Sequence, residues 1–440
     1  MTKRTSKLNG VKRNCVFTTL GKGSMKRFAE YIIDRAYAMI HNQDFQDRYR
    51  TEPSHFSRPG KLGFARTMTM CLNMLVKSLQ VEAERFFRYV LCAKDTCSKQ
   101  AVSQARMRIR PEAFQALFRM SAEAVIQKDA IGTENGYRLF AVDGSCVKLP
   151  QSADIWSKYK AVGGSYLPHA RVSLFQDVVT GYTMDALIDS TDVDERSMFM
   201  AHLGNAQAWL GENDVVMGDR GYPSKANLAY LMEQSYKFVI RMPKSFSEEI
   251  DNNPSQDFIW NMEHKGKTYP IRIVRVKLSQ TCTETLATSI MDSSVDFKVL
   301  YAKRWRVETR YNDLKNQFDL EKFSGKTCVS LMQEFFARAF YMNINAAVEA
   351  EANEIVREED AAKRVPCKHE RKVNGNVLTG SMKDQLARLL LNPSQRSRHR
   401  QMRKMVKEAA RHKVDIKPGR HFVRNNRSHK RITAEPSKAL

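Results

Sequence analysis

The chain has 440 residues, with 72 lysines and arginines against 48 aspartates and glutamates, for a formal net charge of +24 at pH 7. That length allows two to four domains and a sizeable core, and 42% hydrophobic residues is an ordinary globular content. So large a cationic excess points to a polyanionic partner, most simply nucleic acid, and no run reaches the roughly 18 apolar residues of a membrane span. The eight cysteines form no Cys-x-x-Cys pair and no cluster with zinc spacing, which fits scattered thiols in a reducing cytosol. The amino terminus is basic but has no apolar signal-peptide run, so a soluble intracellular protein is expected.

In chain order, residues 1–130 read as a helical DNA-binding region. Phe28, Tyr31, Ile32, Ala36, Tyr37 and Ile40 recur at helical spacing, as do Met70, Met74, Leu75 and Leu79, with breaks at Pro53 and Pro59-Gly60. Ser98 to Arg110 predicts a short helix offering Lys99, Gln104, Arg106 and Arg108. It is either a recognition helix for DNA or an ordinary basic surface helix, since no helix-turn-helix pattern frames it.

From Tyr137 the pattern turns to strands, and residues 131–243 read as the first part of an α/β core. Arg138 to Asp143 is apolar on both faces, as for a strand inside a sheet, and ends in a carboxylate before Gly144-Ser145. Val172–Val179 and Tyr182–Ile188 read as a hairpin. Asp194-Glu195 open a helix running to about Leu210. Val215 to Asp219 is a second short strand ending in a carboxylate, followed by a helix near Lys225 to Gln234 and a strand at Lys237–Arg241. Residues 244–300 are polar and turn-rich, a β-rich insertion with a strong strand at Tyr269–Lys277. Residues 301–350 complete the core with a helix beginning at Tyr301 and an apolar helix from about Leu331 to Ala350. Residues 351–440 form a basic C-terminal region whose last 48 residues carry about fifteen Lys/Arg; these read as a polybasic, partly disordered arm.

On a helix that turns about 100° per residue, Tyr301, Arg304, Glu308 and Lys315 fall within a wedge of roughly 60°. A carboxylate between cations suits a divalent metal beside phosphates, although Glu308 with Arg304 could be a plain exposed ion pair. Asp143 and Asp219 could each simply make a turn, and Asp177, Asp185 and Asp192 are competing acids. Should the two strands lie side by side, Asp143, Asp219 and Glu308 could hold two Mg²⁺ ions, with Mn²⁺ able to substitute. One ion would activate a water or 3′-hydroxyl while the other stabilises the leaving oxygen. That is metal-dependent phosphoryl transfer on DNA.

The spacing Tyr301-x2-Arg304-x3-Glu308-x6-Lys315 resembles the Y-(2)-R-(3)-E-(6)-K signature of insertion sequence family four, bacterial DDE transposases. The resemblance extends to Val142-Asp-Gly-Ser145, Gly218-Asp-Arg-Gly-Tyr222 and Thr285–Ile290, and covers roughly residues 137–325. It implies an α/β fold: an RNase H-like mixed sheet flanked by helices, interrupted by the β-rich insertion, with a helical N-terminal domain and a basic C-terminal region. It further implies Asp143, Asp219 and Glu308 as catalytic metal ligands, with Tyr301, Arg304 and Lys315 on transposon-end phosphates. The 89 residues from Asp219 to Glu308 leave room for the insertion. Trp260, the insertion's only tryptophan, could stack on a flipped base or pack in the core, and Trp305 is expected to pack. The implied activity is cut-and-paste transposition by a homodimer at terminal inverted repeats, through a DNA hairpin, with strand transfer to target DNA in a bacterial cytoplasm at the nucleoid. Two other readings stay open: an RNase H-like DNA nuclease without joining activity, and a catalytically inactive DNA-binding repressor of transposition.

Overall fold

The computed structural model describes residues 27–73, 77–278, 282–305, 320–365 and 367–417. Glu308 and Lys315 lie outside them. The amino-terminal region folds as short helices: α1 (Phe28–His41), α2 (Gln43–Tyr49), α3 (Phe64–Leu72), α4 (Leu79–Arg85), α5 (Lys99–Met107) and α6 (Glu112–Gln127). Their starts follow local chemistry. Asn42 accepts from the Phe45 N–H to cap α2, and Ser98 accepts from the Ala101 N–H to cap α5. Pro53 and Pro59-Gly60 fall in the connection between α2 and α3. Phe28, Ile32, Ile33, Ala36 and Ile40 give α1 one buried stripe.

The middle of the chain supplies β1 (Thr133–Glu134), β2 (Tyr137–Lys148), α7 (Ala153–Lys158), β3 (Lys160–Ala161), β4 (Pro168–Asp177), β5 (Thr183–Ser190) and α8 (Glu195–Ala206). It continues through β6 (Asp214–Gly218), α9 (Lys225–Glu233), β7 (Lys237–Arg241), α10 (Glu248–Asn252), β8 (Asp257–His264), β9 (Lys267–Lys277) and β10 (Thr283–Thr288). These strands make one mixed sheet in the order β3-β4-β2-β6-β7-β10-β9-β8, with β5 also on β4 and β1 also on β2. β2 runs antiparallel to β4 and parallel to β6, which is parallel to β7. The runs Leu139–Val142, Val215–Met217 and Phe238–Ile240 are buried throughout, as strands covered by helices on both faces require. The expected fold class, a mixed sheet flanked by helices, is therefore observed.

The insertion departs from expectation in one respect. β10 pairs antiparallel with β7 through Leu286–Arg241, Ala287–Ile240 and Thr288–Val239, so β8 to β10 extend the core sheet. Without them β7 would present an edge of unpaired backbone groups.

The chain then forms α11 (Phe297–Ala302), α12 (Cys328–Ala361), β11 (Arg371–Val373), α13 (Gly375–Met382), α14 (Gln385–Leu391), α15 (Gln395–Arg411) and β12 (Lys413–Asp415). α12 is 34 residues long, opened by a Thr327–Ser330 capping box, and touches α1, α3, α6, β5 and α15. Of the stretch read as a polybasic, partly disordered arm, residues 418–440 lie outside the described ones. Arg396 to Lys404 lie on α15, whose Met402, Met405, Val406, Ala409 and Ala410 are buried. That spacing (i, i+3, i+4, i+7, i+8) is an apolar stripe, hidden in the sequence by the density of cations. Among the described residues no helix is long and apolar enough to cross a membrane.

Candidate active site

Pairs from Arg138–Asp214 to Ala141–Met217 lock β2 beside β6 in parallel. The ladder ends at Ala141–Met217, and Asp143 and Asp219 each follow two residues later at that same end, where both charges act on the Tyr222 phenol. Neighbouring strands lie about 5 Å apart, so the two acids leave adjacent strands at one end of the sheet. β2 continues to Lys148 with β4 as its partner. Asp143 therefore marks where one neighbour stops, and does not make the turn that Asp143-Gly144 might have made. After β6 the chain closes a turn, the Tyr222 N–H donating to the Asp219 carbonyl at 3.0 Å.

A third carboxylate, overlooked in the sequence, stands between these segments. A Cβ on Gly144 would lie 3.4 Å from Glu195 Oε1, and one on Gly221 would lie 3.3 Å from Oε2. Glycine at both positions leaves room for the Glu195 carboxylate, which accepts from Arg171 Nη1 at 2.7 Å. The acidic pair Asp194-Glu195 was the available signal, but it reads as a helix start alone. In fact Asp194 does the capping, accepting from the Ser197 N–H at 2.7 Å, and Glu195 is left to reach the site. The Tyr222 ring packs against Phe199, with centroids 5.5 Å apart, and its buried hydroxyl has no hydrogen-bond partner among the described residues. Burial, then the charges of Asp143, Glu195 and Asp219, hold this phenol well above the usual tyrosine range.

Arg241 lies 3.5 Å from Asp219 and 3.1 Å from Glu284. Tyr301 and Arg304, expected on DNA phosphates, are instead 4% and 2% exposed. The Tyr301 hydroxyl donates to the Gly218 carbonyl at 3.2 Å, and the Arg304 guanidinium lies over the Tyr301 ring at 5.4 Å. Burial pushes the Tyr301 phenol up, with Arg304 pulling it down and Asp219 pushing it further up. The physical reason is that α11 stops at Ala302. Lys303 and Arg304 tighten into a turn, Lys303 pairs with Glu134 at 2.5 Å, and Arg304 is carried inward. In this form both residues buttress the Asp219 strand.

The competing acids have structural duties. Asp177 accepts from the Gly132 and Val179 N–H groups. Asp185 binds His202 and Asn205, and the other nitrogen of His202 meets Ser173, whose hydroxyl donates to the Asp143 carbonyl at 3.3 Å. Asp192 pairs with Lys160. Asp143 and Asp219 form an all-oxygen donor set, which suits a hard cation such as Mg²⁺. Among the described residues no group of three or more His, Cys, Asp or Glu could hold a metal by itself.

Residues 134–344, just under half of the chain, match the family model described as a transposase DDE domain. The chain carries a DDE transposase domain. By enzyme class this transposase cuts DNA and transfers its ends. Among solved structures it is similar to the piggyBac transposase synaptic complex with hairpin DNA, at 10% identity over 85% of each chain and a TM-score of 0.49. No curated protein matches the sequence.

The other residues expected to meet DNA are placed as follows. Arg106 is buried. Its guanidinium donates to Glu334 at 3.0 Å, Gln333 at 3.1 Å, Ser324 at 2.8 Å and the Ser330 carbonyl at 3.1 Å. Lys99 and Arg108 remain exposed on or beside α5. Trp260 is 4% exposed, edge-on to Phe246, with its indole N–H donating to Glu249 at 2.5 Å. In this structure it packs, as the second of its two expected roles has it. Trp305, expected to pack, is 53% exposed.

Proposed function

We propose that this transposase mobilises an insertion sequence of family four by cut-and-paste at its terminal inverted repeats. The observation that carries the reading is the parallel β2–β6 ladder, which ends two residues before Asp143 and Asp219 within the matched domain. Asp143, Asp219 and Glu308 would hold two Mg²⁺ ions, or Mn²⁺ in their place. When bound, the metal supplies an activated oxygen nucleophile and stabilises the leaving oxygen.

The surrounding side chains prepare that site. Asp143, Asp219 and Glu195, whose charges all act on Tyr222, repel one another, and Arg171 on Glu195 with Arg241 near Asp219 offset the repulsion. Tyr222, its phenol held above the usual tyrosine range, adds no further negative charge beside the acids. A freed 3′-hydroxyl would attack the opposite strand to give a hairpin, which is reopened and joined to target DNA. Two copies of the chain would bring the two ends together, at the nucleoid of a bacterial cytoplasm.

The test incubates the purified chain with terminal-repeat duplex, target plasmid and Mg²⁺, and resolves products on denaturing gels. Nicks, hairpins and joined products are expected from the wild type, and Asp143→Asn, Asp219→Asn or Glu308→Gln should each abolish them while leaving DNA binding intact. Nicks without joined products would mean a nuclease. Unchanged cleavage in any one of the three variants would remove that residue from the site.

A further inference from the structure

We propose that the outward face of α15 is a phosphate-binding ridge for duplex DNA. The partner class rests on the transposase reading; the surface is new.

The helix has two differently treated faces. Inward cations have acidic partners built for them on α1. Arg398 pairs with Asp34 at 2.8 Å, His399 lies 2.6 Å from Asp34 and 3.2 Å from Glu30, and Arg403 lies 3.3 Å from Glu30. Arg398 also donates to the Asn392 and Pro393 carbonyls, so the start of the helix is pinned.

The outward row is Arg396, Arg400, Lys404, Lys407 and Arg411, all exposed. These cations recur once per turn over 15 residues, a length of about 22 Å. Their one acidic neighbour among the described residues is Glu408, 3.8 Å from Lys404, an exposed i,i+4 contact worth under about 0.5 kcal/mol. Arg400, Arg403, Lys404, Lys407 and Arg411 line one open groove with Glu408. Like charges one turn apart destabilise a helix, so this row is held in place by the buried stripe and by the α1 ion pairs, and an arriving polyanion relieves the repulsion.

The shape selects among polyanions. A straight 22 Å row covers the axial rise of roughly six base pairs of duplex, against five cations. The apolar side chains of α15 are turned inward, so it lacks the exposed apolar face that an interfacial membrane helix needs. Gln395, the exposed amide on the helix, is occupied by Asp34 at 2.7 Å. The half-buried Gln401 donates to Ser397 at 3.2 Å, so the row itself holds only cations, and the contacts proposed for them are with backbone phosphates, without sequence preference.

The test measures fluorescence anisotropy of labelled duplexes, terminal-repeat and scrambled, against the full chain across a salt series. Replacing Arg396, Arg400, Lys407 and Arg411 together by alanine should reduce the slope of log affinity against log salt by about 3 to 4, equally on both duplexes. Arg396→Lys, Arg400→Lys and Arg411→Lys combined should keep the wild-type slope. In the wild type, added duplex should protect Lys404 and Lys407 from chemical acetylation, a measurement that needs no variant. A slope changed by less than about one unit, a loss confined to one sequence, or unprotected lysines would overturn the ridge. Metal-dependent nicking by the wild type, abolished in Asp143→Asn, is scored in parallel. If nicking stands while the ridge fails, the transposase reading survives alone; if the wild type neither binds nor nicks, both fall.

Discussion

Replacing Arg106 separates a DNA contact from an internal strut. Its guanidinium and the Glu334 carboxylate are each 2% exposed. Burial opposes the charge on Glu334, yet Arg106 and Arg338 hold its carboxyl below the ordinary glutamate range. Arg106→Met keeps most of the volume and removes the charge. Glu334 would then retain the Ser324 N–H at 2.8 Å, the Gly325 N–H at 3.2 Å and Arg338 at 3.4 Å, which places the broken pair at the low end of its range, about 3 kcal/mol. Gln333 and the Ser330 carbonyl each lose a buried donor, adding about 1 kcal/mol apiece. A total near 5 kcal/mol should lower the thermal midpoint on the order of 10 °C, measured by circular dichroism or calorimetry. Adding Glu334→Leu should recover much of that loss, because an apolar pair no longer leaves a buried charge unmatched. The reasoning is refuted if Arg106→Met melts like the wild type but loses DNA affinity with a shallower salt slope.

Trp260→Leu, which keeps apolar bulk but cannot stack on a base, should lower stability by a few kcal/mol and leave hairpin yield unchanged at temperatures where the variant is folded; selective loss of hairpins on denaturing gels would reinstate base stacking. Glu351 accepts from the Ala29 N–H at the start of α1 at 2.8 Å, and burial, opposed by that N–H and aided by Glu30, pushes its carboxyl up to about 7 from 4.5. Folding should therefore lose up to about 3 kcal/mol as pH rises from near 4.5 to 7, since the unfolded glutamate ionises first, with nothing further lost above that. Asp177, pushed by burial to about 6 from 3.8, acts in the same sense over its own window. Glu351→Gln should flatten this slope and melt above the wild type at pH 8; an unaltered pH profile of the melting midpoint would count against the assignment.

What could be read from the sequence was local. β2, β6 and β7 announce themselves as apolar runs flanked by polar residues, and the carboxylates at 143 and 219 follow from where those runs end. Gly144-Ser145-Cys146 looks like a turn because it is polar, but pairing with β4 carries the strand through it. Arg106 could not be placed from its neighbours, since Glu334 is 228 residues away and nothing near Arg106 signals burial. Glu195 was masked by a plausible second duty at a helix start. On α15 the cations drew attention from five apolar residues whose spacing, taken alone, spells an amphipathic helix.

The long helix α12 has a practical bearing on how this transposase can be dissected. It is buttressed at once by amino-terminal helices, by β5 and by α15, so cutting the chain on either side of the sheet would strip an apolar flank bare. Deletion mapping of the DNA-contacting parts should thus return aggregates in place of miniature binding modules. Charge-by-charge substitution on an intact chain is the route its architecture leaves open.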